Sequence, residues 1–452
     1  MIGILRQKEN TLFLRNVFMI RKTSCGIGGI SIAAISLAAV VSPAFASDTL
    51  TTLVSFDGSN GKYPDAGLNL SGSTLYGTTT GGGANGDGTV FSVPIAGGTP
   101  TTLASFNSTN GRTPDGNLIL AGSTLYGTTL AGGTGGYGTV FSVPVTGGAP
   151  TALASFNYTD GWQPYDGLTL SGNILYGTTN GGGAHYGGTA FSMSVSGGTP
   201  TTLVSFIGAN GAGPEAGLTL SGSTLYGTTE YGGNLSLNYG NGDGTVFAVP
   251  ISGGPAITLA TFNNTNGQQP LAGLILSGST LYGTTLGGGA NSDGTVFSVP
   301  VGGGTVTTLV TFNGTNGANP YAGLTLSGST LYGTTYGGGA YGDGAVFSVP
   351  ITGGTPTTLV TFNGTNGANP FAGLTLSGST LYGTTAYGGN LSLAGGFGDG
   401  TVFAVTIPEP AALAMMAIAG AGILLVKRKK KSGLHQWPMR PMSQNRDGQG
   451  PC

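Results

Sequence analysis

The chain has 452 residues, of which 90 are Gly and 7% are charged, with 14 Lys and Arg against 16 Asp and Glu. Glycine at roughly three times ordinary usage excludes an average helical or α/β globule, and the lack of a strict Gly-X-Y period excludes collagen. Apolar residues at 38%, with 18 Tyr and 19 Phe, are too many for a disordered Gly-rich polymer, so a packed all-β structure is expected.

Residues 1–46 read as an N-terminal extension and a signal peptide. From Met19 the chain runs through Arg21-Lys22 and the apolar stretch Ile27 to Val41 into Ala44-Phe45-Ala46. A basic start, an apolar core and an A-x-A site predict secretory cleavage between Ala46 and Ser47. Residues 1–18 lie upstream of this unit, so Met1 and Met19 both stand as candidate starts. Cys25 falls inside the signal and Cys452 is the last residue. No intramolecular disulfide is therefore available to the exported middle.

The middle, 47–407, is one unit written seven times. Leu-Tyr-Gly-Thr-Thr begins at Leu75, Leu125, Leu175, Leu225, Leu281, Leu331 and Leu381, a spacing of 50 residues with one step of 56. A fixed period of this size decides the architecture. In the sixth unit the turn residues divide the chain into strands at 323–326, 330–335, 345–349 and 357–362, the first two joined by Ser327-Gly328-Ser329 as a tight hairpin. Strands such as Thr89-Val90-Phe91-Ser92-Val93 are apolar on both faces, so each sheet is sandwiched between neighbours. Four short antiparallel strands per unit are the arithmetic of a β-propeller blade; the competing architecture is an open β-solenoid. A lone fourth strand, 51–56, opens this region, and a third strand, 401–405, closes it without its own fourth. Their pairing predicts a seven-bladed propeller of four-stranded blades, closed by the N-terminal strand.

Leu-Tyr-Gly-Thr-Thr followed by Gly-Gly and Gly-Asp-Gly-Thr-Val-Phe, as in residues 75–91, resembles the GloVer tandem repeat of bacterial exported proteins. The resemblance covers all seven units and implies a surface protein without established catalytic residues. The second and third units depart from Gly-Asp-Gly, reading Gly136-Tyr137-Gly138 and Tyr186-Gly187-Gly188.

Candidate contacts follow from loop length. The connections between strands two and three and between blades share one face, and long loops on a rigid scaffold are where recognition usually sits. Six-residue insertions enlarge this face in units four and seven, placing Tyr231 and Asn234, and Tyr387 and Asn390, on either side of the central opening. Tyr158, Trp162 and Tyr165 share one interblade loop and are candidates for exposed stacking on a ligand. Asp87, Asp243, Asp293, Asp343 and Asp399 precede strand three. One carboxylate per loop falls short of the six to eight oxygens that calcium takes, so these are read as turn formers that bond their own backbone, and no metal or cofactor is expected. Catalytic parts are scarce: 47–407 holds no Cys and one His, His185, with Lys62 and Arg112 as its only cations against 13 acids. Nucleic acid is excluded as a partner on that balance. Glycoside hydrolysis needs only two carboxyls, which keeps Asp115, Asp166 and Glu215 as the parts of an alternative, carbohydrate-active enzyme; nothing in the sequence pairs them.

Pro408-Glu409-Pro410 is followed by an apolar stretch, 411–426, and by Lys427-Arg428-Lys429-Lys430-Lys431. Sixteen small and apolar residues ended by five cations predict a minimal transmembrane helix with a cytoplasmic basic flank. Segment 408–431 is similar to the PEP-CTERM sorting signal of Gram-negative, exopolysaccharide-producing bacteria, which implies an exosortase-type transpeptidase as partner and delivery to the cell surface or matrix. The family usually stops at the basic cluster, whereas here a tail, 432–452, follows and is expected to be disordered and cytoplasmic. The function expected is that of an exported, surface-anchored, non-enzymatic repeat protein that binds or structures extracellular polysaccharide through its long-loop face.

Overall fold

Each repeat unit becomes one blade in the computed structural model, which describes residues 48–407. Blade 1 is built from Asn69–Ser71, Thr74–Thr79, Thr89–Pro94 and Thr101–Ser105, adjacent in that order from the channel outward. Seven such four-stranded antiparallel sheets form the propeller. Blade 7 takes its outer strand, Thr49–Ser55, from the N-terminal end of this region. That strand pairs with Thr401–Thr406 from Thr49 opposite Thr406 to Ser55 opposite Thr401, with a register shift between Thr52 and Val54. The ring is closed by hydrogen bonds, as the phase of the repeats predicts.

The cleavage residues Ala44, Ala46 and Ser47, the Pro408-Glu409-Pro410 motif, the apolar stretch 411–426 and the tail 432–452 lie outside the described residues. Among the described residues no helix is long and apolar enough to cross a membrane.

The core lies between blades. Phe106, Leu118, Leu125 and Phe141 of the blade 1–2 junction pack with Val90 and Ala104 of blade 1. Every junction carries one edge-on phenylalanine pair, Phe56 with Phe91 at 5.0 Å and Phe362 with Phe403 at 5.0 Å among them. Aromatic pairs in this geometry add to what their area contributes. The tyrosines of Leu-Tyr-Gly join the same clusters, Tyr176 and Tyr382 in the next blade's core, so they are interblade packing and offer no sugar platform. The glycine after each makes room for phenylalanine: a Cβ on Gly333 would stand 2.7 Å from Phe347 Cζ.

Inner strands are shorter than the sequence suggests, Thr325–Ser327 in place of 323–326. The reason is the convergence of seven chains on the axis. A Cβ on Gly323 would meet the Gly273 carbonyl at 3.2 Å, and one on Gly373 the Gly323 carbonyl at 3.2 Å. At this constriction backbone packs on backbone before regular pairing begins.

Candidate functional site

Interblade loops end on a left-handed residue followed by proline. Tyr63, Thr113, Gln163, Gly213, Gln269, Asn319 and Asn369 all have φ between 54° and 64°, a conformation that costs non-glycine residues energy and recurs where surroundings enforce it. What enforces it is a hydrogen bond across the junction: Thr113 N–H donates to Asp87 O at 2.9 Å, Gln163 N–H to Tyr137 O and Gly213 N–H to Gly187 O at 2.9 Å. The acceptor is a main-chain carbonyl, which explains why the second and third units do without the Asp. For Asp87 this corrects the reading as a former of its own turn, since its carboxylate accepts from the Ser108 hydroxyl of the next loop at 2.8 Å.

Proline then directs the following residue into the channel mouth. The seven equivalent residues are Asp65, Asp115, Tyr165, Glu215, Leu271, Tyr321 and Phe371, and together with Asp166 they line one recess of about 120 Å³. Carboxyls occupy the arc of blades 1 to 4, and apolar or aromatic side chains that of blades 5 to 7. Tyr321, Tyr336 and Phe371 form an aromatic triangle with centroids 4.8 to 5.6 Å apart.

Few partners compensate these acids. Asp65 Oδ2 accepts from the Thr80 hydroxyl at 3.1 Å, while its Oδ1 is buried with no partner. Glu215 accepts from Asn180 Nδ2 at 2.9 Å. Asp166 is best served, accepting from the Gly167 N–H at 2.5 Å and the Gly217 N–H at 2.8 Å. Burial penalises the charged form and like charges add to it. Burial first and Asp166 second push Asp115 up to about 7. Burial, then the Glu230 and Asp115 charges, push Glu215 up to about 8. Asp65 is raised well above the usual carboxylate range by burial and by Asp115. Asp115, Asp166 and Glu215, unpaired in the sequence, are thus neighbours. The missed members, Asp65, Tyr321 and Phe371, would have emerged from reading the post-proline column down the seven units.

The remaining candidates divide. Tyr165 lines the recess, away from Tyr158 and Trp162, which stack with rings 5.7 Å apart and 10° from parallel. Tyr158 is exposed, as is Tyr186 beside it at 6.0 Å, and a cavity of about 360 Å³ opens between Tyr158 and Tyr186. Trp162 is half-buried over Gly181, its Nε1 buried without a partner, so Tyr158 and not Trp162 presents the stacking surface. Tyr387 packs edge-on against Tyr63 at 5.3 Å, and beside Tyr231 the Gln269 amide donates to Glu230 at 2.9 Å. Asn234 and Asn390 turn their side-chain oxygens inward: each accepts from the hydroxyl of Ser236 or Ser392 at 2.7 Å. They shape the insertions. Asn313 does likewise, accepting from the Thr315 hydroxyl at 2.8 Å and the Asn316 N–H at 3.1 Å.

Eight of the ten exposed large apolar side chains, including Tyr186, Leu235, Tyr239, Tyr341, Leu391 and Phe397, sit in the loops of this one face. Ile174 and Ile257 lie elsewhere. Among the described residues no group of three His, Cys, Asp or Glu converges as a metal site.

A family model described as the Gloeobacter/Verrucomicrobia repeat matches residues 38–241 and 236–421. No curated protein matches. Among solved structures the chain is similar to a europium-containing methanol dehydrogenase, with 10% identity over 79% of this chain and 93% of that one and a TM-score of 0.50. It also resembles a PQQ-bound aldose sugar dehydrogenase from Streptomyces coelicolor, with 13% identity over 80% and 98% of the chains and a TM-score of 0.41. At 10% identity the likeness to the methanol dehydrogenase speaks for the fold alone.

Proposed function

The chain belongs to the Gloeobacter/Verrucomicrobia repeat family, and on that footing we propose an exported, surface-anchored, non-enzymatic protein that binds extracellular polysaccharide through its long-loop face. One observation carries the reading: exposed aromatic and aliphatic side chains are concentrated on this face, with Tyr158 and Tyr186 flanking an open cavity. Exposed apolar groups gathered on one surface mark a contact site, and a phenol that is apolar in body and polar at its tip suits a sugar ring. The export signal at 19–46 and the Pro408-Glu409-Pro410 motif with its apolar and basic followers support surface delivery, with an exosortase-type transpeptidase as the processing partner.

A second reading, a carbohydrate-active enzyme, is favoured by the carboxyls gathered at the channel mouth. Against it stands space: the recess of about 120 Å³ is well below the roughly 300–1,000 Å³ of sites that enclose a ligand, and a glycosidase must seat the scissile bond between both carboxyls.

Glycan-array binding by the full chain tests the proposal. Retained glycans are expected to be lost from Tyr158→Ala/Tyr186→Ala and kept by Asp115→Asn/Glu215→Gln. Turnover of a bound glycan that vanishes in the carboxyl variant would replace the binding role with the enzymatic one.

A further inference from the structure

The channel mouth has a chemistry of its own, distinct from the exposed loop tips. We propose that this recess binds a small organic ammonium cation, held between the carboxyls of blades 1 to 4 and the aromatic rings of blades 6 and 7.

Charge is the first argument. Asp65, Asp115, Asp166 and Glu215 line the recess, and no Lys, Arg or His does. Lys62 is engaged elsewhere, its ammonium 5.2 Å from the Tyr63 ring. Glu230 stands behind Glu215, and the phenols of Tyr165, Tyr231, Tyr321, Tyr336 and Tyr387 are the other titratable groups beside these carboxyls. Asp65 Oδ1 is buried without a partner, so no donor of the protein stabilises an ionised Asp65 at that oxygen. A cation in the recess favours the ionised form through space, without having to touch it.

The kind of cation follows from the other half of the ring. Tyr321 and Phe371 line it, with ring centroids 4.8 Å apart, and aromatic rings attract alkylammonium groups through their quadrupoles. A hard metal ion would use none of this surface, and the carboxyls do not converge as metal ligands. The volume of about 120 Å³ limits the guest to an ammonium centre with a few carbons.

Binding is linked to protons. Asp115 and Glu215, pushed up to about 7 and about 8, hold protons below those values that a cation displaces, so affinity rises with pH until they are ionised. An alkylammonium keeps its charge throughout, its pKa lying near the Lys value of about 10.4.

Calorimetric titration of the full chain with tetramethylammonium and with ethylammonium, against tert-butanol as neutral control, tests the site. Expected are binding of both cations at pH 8, none of tert-butanol, and affinity about tenfold weaker for each pH unit lowered through the titration of one linked carboxyl. Glu215→Gln is expected to weaken both cations at least tenfold, and Phe371→Leu to weaken tetramethylammonium more than ethylammonium. Thermal unfolding of each variant separates loss of the site from loss of the fold. Absence of binding at pH 8, equal binding of tert-butanol, affinity indifferent to pH, or Ca²⁺ binding in place of the ammonium ions would overturn the proposal. Tyr158→Ala/Tyr186→Ala leaves this site intact, so its failure and that of the glycan-binding face are read separately.

Discussion

Hydroxyl pairs buried in the blades show how single residues set stability. Thr79 Oγ1 and Thr89 Oγ1 lie 2.8 Å apart, and the pair recurs in six blades. Blade 6 lacks it: Ala345 stands opposite Thr335, whose Oγ1 is buried with no partner. An unmade buried hydrogen bond costs about 1–3 kcal/mol, a made one contributes about 1 kcal/mol. Ala345→Thr is therefore expected to stabilise the protein by about 1 kcal/mol, read as a higher unfolding temperature; a lower one would mean that the hydroxyl finds no room. A second orphan has a sequence cause. The threonine one place earlier in the strand bonds the next blade's channel carbonyl in six blades, as Thr178 does to Ala216 O at 2.9 Å. Thr78 has no partner: the next blade reads Gly116-Asn117 where five others have Ala-Gly and blade 3 has Asp166-Gly167, and Asn117 Oδ1 accepts from the Gly67 N–H at 2.5 Å.

Strands and loops act together at the channel. Asp115 and Glu215 titrate higher in the fold, up to about 7 and about 8, than their ordinary values of 3.8 and 4.5. The folded state thus holds protons that the unfolded chain has already released, and the stability they contribute is complete below pH 4 and lost as pH rises through 7 to 8. Thermal unfolding is expected to fall between pH 5 and pH 9, with a shallower fall in Asp115→Asn/Glu215→Gln. A slope unchanged in that variant would place the proton linkage elsewhere. The strands themselves were legible because Thr, Val and Phe alternate with Gly-rich turns, and 330–335 is predicted and found. The recess was not, because its members sit one to a unit, some fifty residues apart, and meet only when the ring closes. Asp115, Asp166 and Glu215 could be named as spare acids; only the left-handed residue and proline before each blade aim the column inward. The stacking trio failed for the same reason, since Tyr165 follows that proline and Tyr158 and Trp162 precede it.

Closure decides what the whole molecule can do. It gives all the long loops one face and makes a channel from seven inner strands. Phase was enough to predict it: an outer strand placed first and missing last has a role only in a ring. The pairing of Thr49–Ser55 with Thr401–Thr406 also means that the last junction, Phe56 against Phe91, depends on the earliest part of the described chain. Thr49 and Thr406 face each other and are both exposed, and paired antiparallel residues have Cα atoms about 4.5–5.5 Å apart, within the reach of a disulfide. The decisive measurement is oxidation of Thr49→Cys/Thr406→Cys followed by thermal unfolding with and without reductant. A closed propeller predicts complete intramolecular bonding and a higher unfolding temperature when oxidised; thiols that stay free, or bond only between molecules, would contradict it.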